Sequence, residues 1–429
     1  MFLRRTLVVS ALIVLARGRA LAAQARYPTQ WSPAIAERTD VKAALAFLDR
    51  NFPRQVAEWI RIAQIQGKSE HEQARGRYVA AAMRAQGLVV STDSIGNVTG
   101  RSRVKAAGPT IVFAAHMDIV HPLGTNLEVR RSGDTLAAPG IFDNSASVAN
   151  LLAVIRAIRA GKVKTAANLV FVATTQEEVG LKGMNYWLDH NPKPDLLVGM
   201  DGGLGPIDYG ALGIYWTRYH FSGPGSHTIT SRGKPTPVRA LADAIDRIYA
   251  LRFPGLPNGA VLNVGQVYGG VIFNGIPQEL YFTMDLRSPD PALLDSLDRA
   301  IDGAVRGAAE KEGVAWRKEV VQQDGAGGTE EMLRSARAHP IVQTAIDVHR
   351  YLGIDIGPPG QEAMASGSTD ANMGVVRKIP SISVGRSFGG NQHTLAEWAH
   401  WPSALPASKM VLLLGVALGD GKVQPAPVP

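Results

Sequence analysis

The chain has 429 residues, 45% hydrophobic and 19% charged, enough apolar material for two or three packed domains and too much for an intrinsically disordered chain. Cysteine is absent, which excludes disulfides, thiol nucleophiles and thiolate metal sites and leaves His, Asp and Glu to hold any metal. The formal net charge is +8, but Arg4, Arg5, Arg17 and Arg19 supply four of those charges and the rest form no basic run, which argues against nucleic acid as a partner.

Residues 1–23 read as an export signal. Arg4 and Arg5 form the charged start, Thr6–Ala16 the apolar run, and Ala20-Leu21-Ala22 a small-residue cleavage region. The run is far shorter than the roughly 20 residues that span a bilayer. The expectation is an exported protein, periplasmic or secreted, free of the membrane once the signal is removed. Residues 27–40 read as a linker, and Val41–Gly67 as a helix interrupted near Pro53. Ser69-Glu70-His71-Glu72 reads as a capping box opening a helix to about Gln86. Gly87–Arg103 reads as a hairpin turned at Gly96-Asn97.

Strands and helices then alternate. Thr110–Ala115, Ala167–Thr174 and Leu196–Met200 are apolar strand-like runs, with helical patterns at Ser145–Ala160 and Leu181–His190. This predicts an α/β fold: a mostly parallel sheet sandwiched by helices, with its site beyond the carboxyl ends of the strands. From 212 the pattern changes. Tyr215–Ser222, Val261–Tyr268, Glu279–Leu286 and Ala315–Val321 alternate as strands, with amphipathic helices at Val238–Leu251 and Ala292–Lys311. They predict an inserted α+β four-stranded domain over 212–324. Helix Ile341–Leu352, strand Ser381–Val384 and helix Leu405–Leu418 resume the first pattern, so residues 27–211 and 325–421 form one split catalytic domain. The Pro-rich tail 422–429 is expected to be disordered.

Chemistry collects where apolar strands end. In Ala114-Ala115-His116-Met117-Asp118, the i and i+2 side chains share a face. Asp118 can therefore orient the His116 imidazole while its other nitrogen binds a metal; alone, the pair is a weak signal and reads more readily as a structural hydrogen bond. Asp143 precedes a helix and could be an ordinary cap, but Asn144 and Ser145 could cap as well and leave it free. Glu177-Glu178-Val179-Gly180 follows an uncharged strand. Asp201 follows Leu197-Val198-Gly199-Met200, and His393 lies in the polar loop Asn391-Gln392-His393-Thr394. His116, Asp143, Glu178, Asp201 and His393 thus lie at ends that a parallel sheet gathers at one edge. Three carboxylates and two imidazoles suit Zn²⁺ or Mn²⁺. They suffice for two ions about 3.5–4 Å apart if one carboxylate bridges them. Cations also relieve the repulsion that would otherwise drive clustered acids to protonate.

This ordered series resembles the di-zinc metallopeptidase family of aminoacylase, glutamate carboxypeptidase, acetylornithine deacetylase and peptidase T, over about residues 40–420. The resemblance implies that Asp143 bridges two Zn²⁺ ions per subunit, with Mn²⁺ or Co²⁺ as substitutes. His116, Glu178, Asp201 and His393 then complete the two spheres in a pairing left open. It implies that Glu177 is the general base and acid, that Asp118 supports His116, and that the insert is a lid and dimerisation domain giving a homodimer. In that lid, Gly223-Pro224-Gly225-Ser226-His227 matches a segment whose His227 polarises the substrate carbonyl. Asn274 and Arg287 match substrate-carboxylate contacts, and Gly367-Ser368-Thr369-Asp370 a pocket loop that implicates Ser368 and Thr369. Asn144 stands where some relatives carry aspartate. The implied activity is a metal-dependent exopeptidase acting on short peptides. The alternatives are an N-acyl-amino-acid amidohydrolase with the same centre and a catalytically silent exported binding protein with the same fold.

Overall fold

The structure is a computed structural model describing residues 27–358, 364–365 and 367–421. The expected export signal (1–23) and disordered tail (422–429) lie outside the described residues. The apolar runs build the centre: Thr110–His116, Asn168–Thr174, Leu196–Met200 and Ser381–Val384 are almost wholly buried, as strands covered on both faces must be. They pair in parallel within an eight-stranded sheet. Its flanks are antiparallel. The hairpin of Val89–Thr92 and Val98–Arg101 joins Asn168–Thr174 on one side, and Ile207–Asp208 joins Ser381–Val384 on the other.

The two-residue period decides which layer each side chain enters. Ile111, Phe113 and Ala115 pack into the larger core with helices Thr39–Ala63, Ser145–Gly161 and Ala404–Asp420. Val112 and Ala114 point the other way, onto Met184 and Trp187 of helix Lys182–His190. The segment Trp401–Asp420 is long and apolar enough to cross a membrane, but it is mostly buried inside the protein. Its all-round hydrophobicity reflects a core position.

Two local expectations are corrected. Residues 27–40 are not wholly a linker: Ser32 caps a short helix Pro33–Glu37, and the next begins at Thr39. Pro53 lies inside the unbroken helix Thr39–Ala63. The carbonyl it leaves without a helical donor belongs to Asp49, which is exposed to solvent that can satisfy it.

The strands Val261–Gly269, Glu279–Ser288, Gly213–Ser222 and Ala315–Asp324 form a separate antiparallel sheet in that spatial order. Helices Pro237–Tyr249 and Pro291–Glu312 contribute to its own core, around Tyr219, Phe221, Phe282, Ile301 and Val305. The Asp290 carboxylate caps the second helix, accepting from the N–H groups of Ala292 and Leu293. A further four-stranded sheet of three-residue strands, 130–132, 135–137, 398–400 and 388–390, has no counterpart in the sequence reading, because strands that short carry no readable period. It holds the loop 391–397 against residues 138–143, where the Ala138 N–H donates to the Glu397 carbonyl.

Candidate metal centre

Strand Thr110–His116 delivers His116, and two residues on the chain delivers Asp118; both are buried. Asp118 Oδ1 lies 3.3 Å from His116 Nδ1, which turns Nε2 toward the neighbouring acids. Asp118 also organises the glutamate loop. Its carboxylate accepts from the Ser69 hydroxyl at 2.7 Å and from the N–H groups of Glu177 and Glu178, each at 3.1 Å. The expected capping box is therefore corrected. The Ser69 hydroxyl is taken by Asp118, while Glu72 accepts from the N–H groups of Glu70 and Gln176, and the helix starts at Gln73.

Asp143 leads into helix Ser145–Gly161, where neither neighbouring side chain caps. Asn144 Nδ2 donates to the Met200 carbonyl and the Ser145 hydroxyl to that of Gly140. Glu397 fixes this loop, accepting from the N–H groups of Gly140, Phe142 and Asp143 at 2.8–2.9 Å. The two oxygens of Asp143 then face different partners. Oδ1 lies 3.2 Å from His116 Nε2, which is itself 3.6 Å from Asp201 Oδ2 and 3.9 Å from Glu177 Oε2. Oδ2 lies 3.4 Å from His393 Nε2, and that nitrogen is 3.1 Å from Glu178 Oε2. The shortest contacts thus set Asp201 beside His116 and Glu178 beside His393. Gln176, Asn391 and His393, in the two loops that complete the cluster, have φ of 53–63°, a left-handed conformation that few non-glycine residues adopt.

Crowding shows in the titration of the cluster. Burial pushes Glu177 well above the usual carboxylate range, and Glu178, Asp201 and Asp370 reinforce it against the pull of His116. Burial likewise raises Glu178. Asp143, despite its burial, is held well below that range by the Arg386 guanidinium and the two imidazoles. Asp143 and Glu178 raise His393 to about 10. A divalent cation bound here would require its ligands to be deprotonated. His116, Glu177 and Asp201 each offer a donor atom within 4.8 Å of one another, as do His116, Asp143 and Glu178. Glu178 Oε1 is buried without a hydrogen-bond partner among the described residues. The donor set and this orphaned oxygen fit divalent cations.

The remaining candidate residues lie elsewhere. Asn274 Nδ2 lies 3.3 Å from His227 Nε2 on an exposed part of the smaller sheet unit. They line a pocket with Gly270, Gln278 and Glu279, and no hydrogen bond or ion pair joins either residue to the acid–histidine cluster among the described residues. Arg287 is paired with Asp285. Ser368 is half-buried, and the Thr369 hydroxyl is buried and accepts from the Ala371 N–H. Sequence reasoning missed Arg386, Glu397 and Ser69. Arg386 is the most notable: it lies two residues beyond the buried strand Ser381–Val384, a strand-end position like those that marked the acids.

The parallel sheet gathers acids and imidazoles into a candidate metal centre at its carboxyl edge, and together with the family and relatives that follow, this makes the chain a metal-dependent hydrolase acting on peptide or amide bonds. Peptidase family M20/M25/M40 matches residues 112–414, and the chain belongs to that family. YqjE of Bacillus subtilis (strain 168) is 21% identical over 351 residues, covering 78% of this chain and 90% of its own. A tripeptidase from Staphylococcus aureus has the same fold, with TM-score 0.69 and 19% identity over 86% of this chain and 98% of its own. YxeP of Bacillus subtilis, a dinuclear metal-binding M20 peptidase, gives TM-score 0.63 at 15% identity over 86% and 99%.

Proposed function

We propose that the chain is an exported exopeptidase that hydrolyses short peptides at a centre for two divalent cations, Zn²⁺ in the first instance. The observation carrying this reading is the division of Asp143, whose Oδ1 faces His116 beside Asp201 and whose Oδ2 faces His393. Asp143, His116 and Asp201 would hold one cation, and Asp143, Glu178 and His393 the other. When bound, the cations supply an acidified water and a Lewis acid for the scissile carbonyl.

Glu177 does the proton work in this reading. Its Oε2 is directed at the cluster, 3.9 Å from His116 Nε2, and its backbone is tied down by Asp118. It takes the proton of the attacking water and returns it to the leaving amine, a contribution of about 10²–10⁴ in rate. His227, Asn274, Arg287, Ser368 and Thr369 are assigned to substrate contact, with the lid of a second copy in a homodimer bringing His227 to the reacting carbonyl. Export rests on residues 1–23 and is checked by fractionating cells that express the full chain.

The test is Glu177→Gln. The variant is expected to retain two ions per chain by elemental analysis while losing at least 100-fold in turnover. Loss of metal together with activity would refute the division of labour between Glu177 and Glu178. A panel of dipeptides, tripeptides and N-acetyl amino acids, read by mass spectrometry, separates peptidase from deacylase. A fully active monomer in light scattering would refute the contribution of a second copy.

A further inference from the structure

Arg386 is 1% exposed and pairs with two carboxylates of the cluster, both on oxygens away from His393 and Glu178. Its Nη1 pairs with Asp201 Oδ1, and Nη2 lies 3.2 Å from Asp143 Oδ1. The N–H of Gly202 also donates to Asp201 Oδ1, at 2.6 Å, so Asp201 has its Oδ2 left to turn toward His116. Asp143 Oδ1, the oxygen nearest His116, is shared with the guanidinium. No ion pair or hydrogen bond links Arg386 to Asp143 Oδ2, Glu178 or His393 among the described residues.

The guanidinium is held where it is. Its Cζ lies 4.1 Å from the centre of the Phe142 ring, a cation–π contact. The Arg386 backbone is anchored on both sides, its N–H donating to the Gly202 carbonyl and its carbonyl accepting from Asn150 Nδ2. It carries a charge that does not titrate in the working range. An ion entering beside His116 therefore meets a fixed positive charge and must share a carboxylate oxygen with it. An ion entering beside His393 shares no carboxylate oxygen with it, and like-charge repulsion in a buried site is strong.

We propose that Arg386 makes the two cation positions unequal, weakening the Asp143–His116–Asp201 position so that it fills second and exchanges with free metal, while the Asp143–His393–Glu178 position stays tight. The inference rests on the two-cation reading above. Arg386 acts here as a positioning residue, through the carboxylates it holds, and makes activity responsive to free metal concentration.

The test titrates the metal-stripped full chain with Zn²⁺ against a chromophoric chelator, with native mass spectrometry counting ions. The wild type is expected to fill in two steps at least 10-fold apart. Arg386→Gln, which removes the charge, is expected to tighten the weaker step at least 10-fold, about 1.4 kcal/mol, with little change in the tighter one. Arg386→Lys, which retains the charge, is expected to keep the two steps apart. His393→Ala leaves Arg386 in place and is expected to abolish the tighter step alone. A weaker step that is unchanged or weakened in Arg386→Gln overturns the proposal, as does loss of the weaker step in His393→Ala. A wild type that takes up fewer than two ions instead overturns the two-cation reading itself, and the proposal with it.

Discussion

Replacing Asp118 by Asn is the sharpest test of how the centre is organised, because it changes charge and donor pattern with almost no change in volume. Asp118 is fully buried and accepts from the Ser69 hydroxyl and the N–H groups of Glu177 and Glu178, with His116 Nδ1 at 3.3 Å. An amide has one acceptor oxygen. If that oxygen keeps His116 and the Glu177 N–H, the new NH₂ faces Ser69, whose hydroxyl can reverse, and the Glu178 N–H, which cannot. One buried donor left opposite another costs about 1–3 kcal/mol, and losing the charge beside the imidazole adds to it. The expected destabilisation is therefore roughly 2–4 kcal/mol. Because the imidazole and the Glu178 ligand loop lose their support together, metal affinity should fall about 10–100-fold. Calorimetric melting of the metal-free chain reads the first quantity and chelator competition the second. A variant that melts like wild type and binds Zn²⁺ equally well would show that Asp118 merely fills space, and the reasoning would be wrong.

Glu397→Gln is expected to loosen the 140–143 loop, since an amide cannot accept all three N–H bonds that Glu397 now accepts. Stability should drop by roughly 1–3 kcal/mol, read by melting, with weaker Zn²⁺ binding through Asp143; unchanged values in both would refute the bracing role. His349 offers a pH test away from the centre. Burial pushes its imidazole down to about 4, below an unfolded value near 6.5, so the unfolded chain takes up the proton first. Its penalty is absent above about pH 7 and grows as pH falls from about 6.5 toward 4, reaching about 3 kcal/mol. Urea midpoints for wild type and His349→Leu should therefore diverge against the wild type between pH 7 and 4.5, and parallel pH curves would refute the assignment.

What was legible in the sequence follows from run length and period. Three of the four central strands are nearly continuous apolar runs, and His116 ends one of them while Asp201 directly follows another. Their convergence needs no knowledge beyond parallel pairing. Which acid partners which imidazole was not legible, because it depends on loops crossing between strands: His393 reaches Glu178 from the far end of the chain. Local motifs misled where a tertiary partner outbid a local one. Ser69 and Glu72 fit a capping box, yet Asp118 takes the hydroxyl and the Glu70 and Gln176 N–H groups take the carboxylate. Arg386 was overlooked because a search for metal donors passes over a cation, although its place beyond a buried strand marked it as plainly as Asp201.

That oversight has a physical moral. A folded chain that gathers Asp118, Asp143, Glu177, Glu178 and Asp201, buried or largely so, must compensate their charge before any metal arrives. It has three ways to do so: the fixed guanidinium of Arg386, protons on His116 and His393, which lie above their ordinary range, and protons on the most deeply buried acids. The last two are exchangeable and the first is not. Cation binding trades the exchangeable protons for metal charge, so the apo fold is held ready by groups that leave when metal enters. Arg386 is the part of that compensation that stays behind. Reading such a site from carboxylates and imidazoles alone counts the donors and misses the charge that sets how tightly each half of the donor set holds its ion.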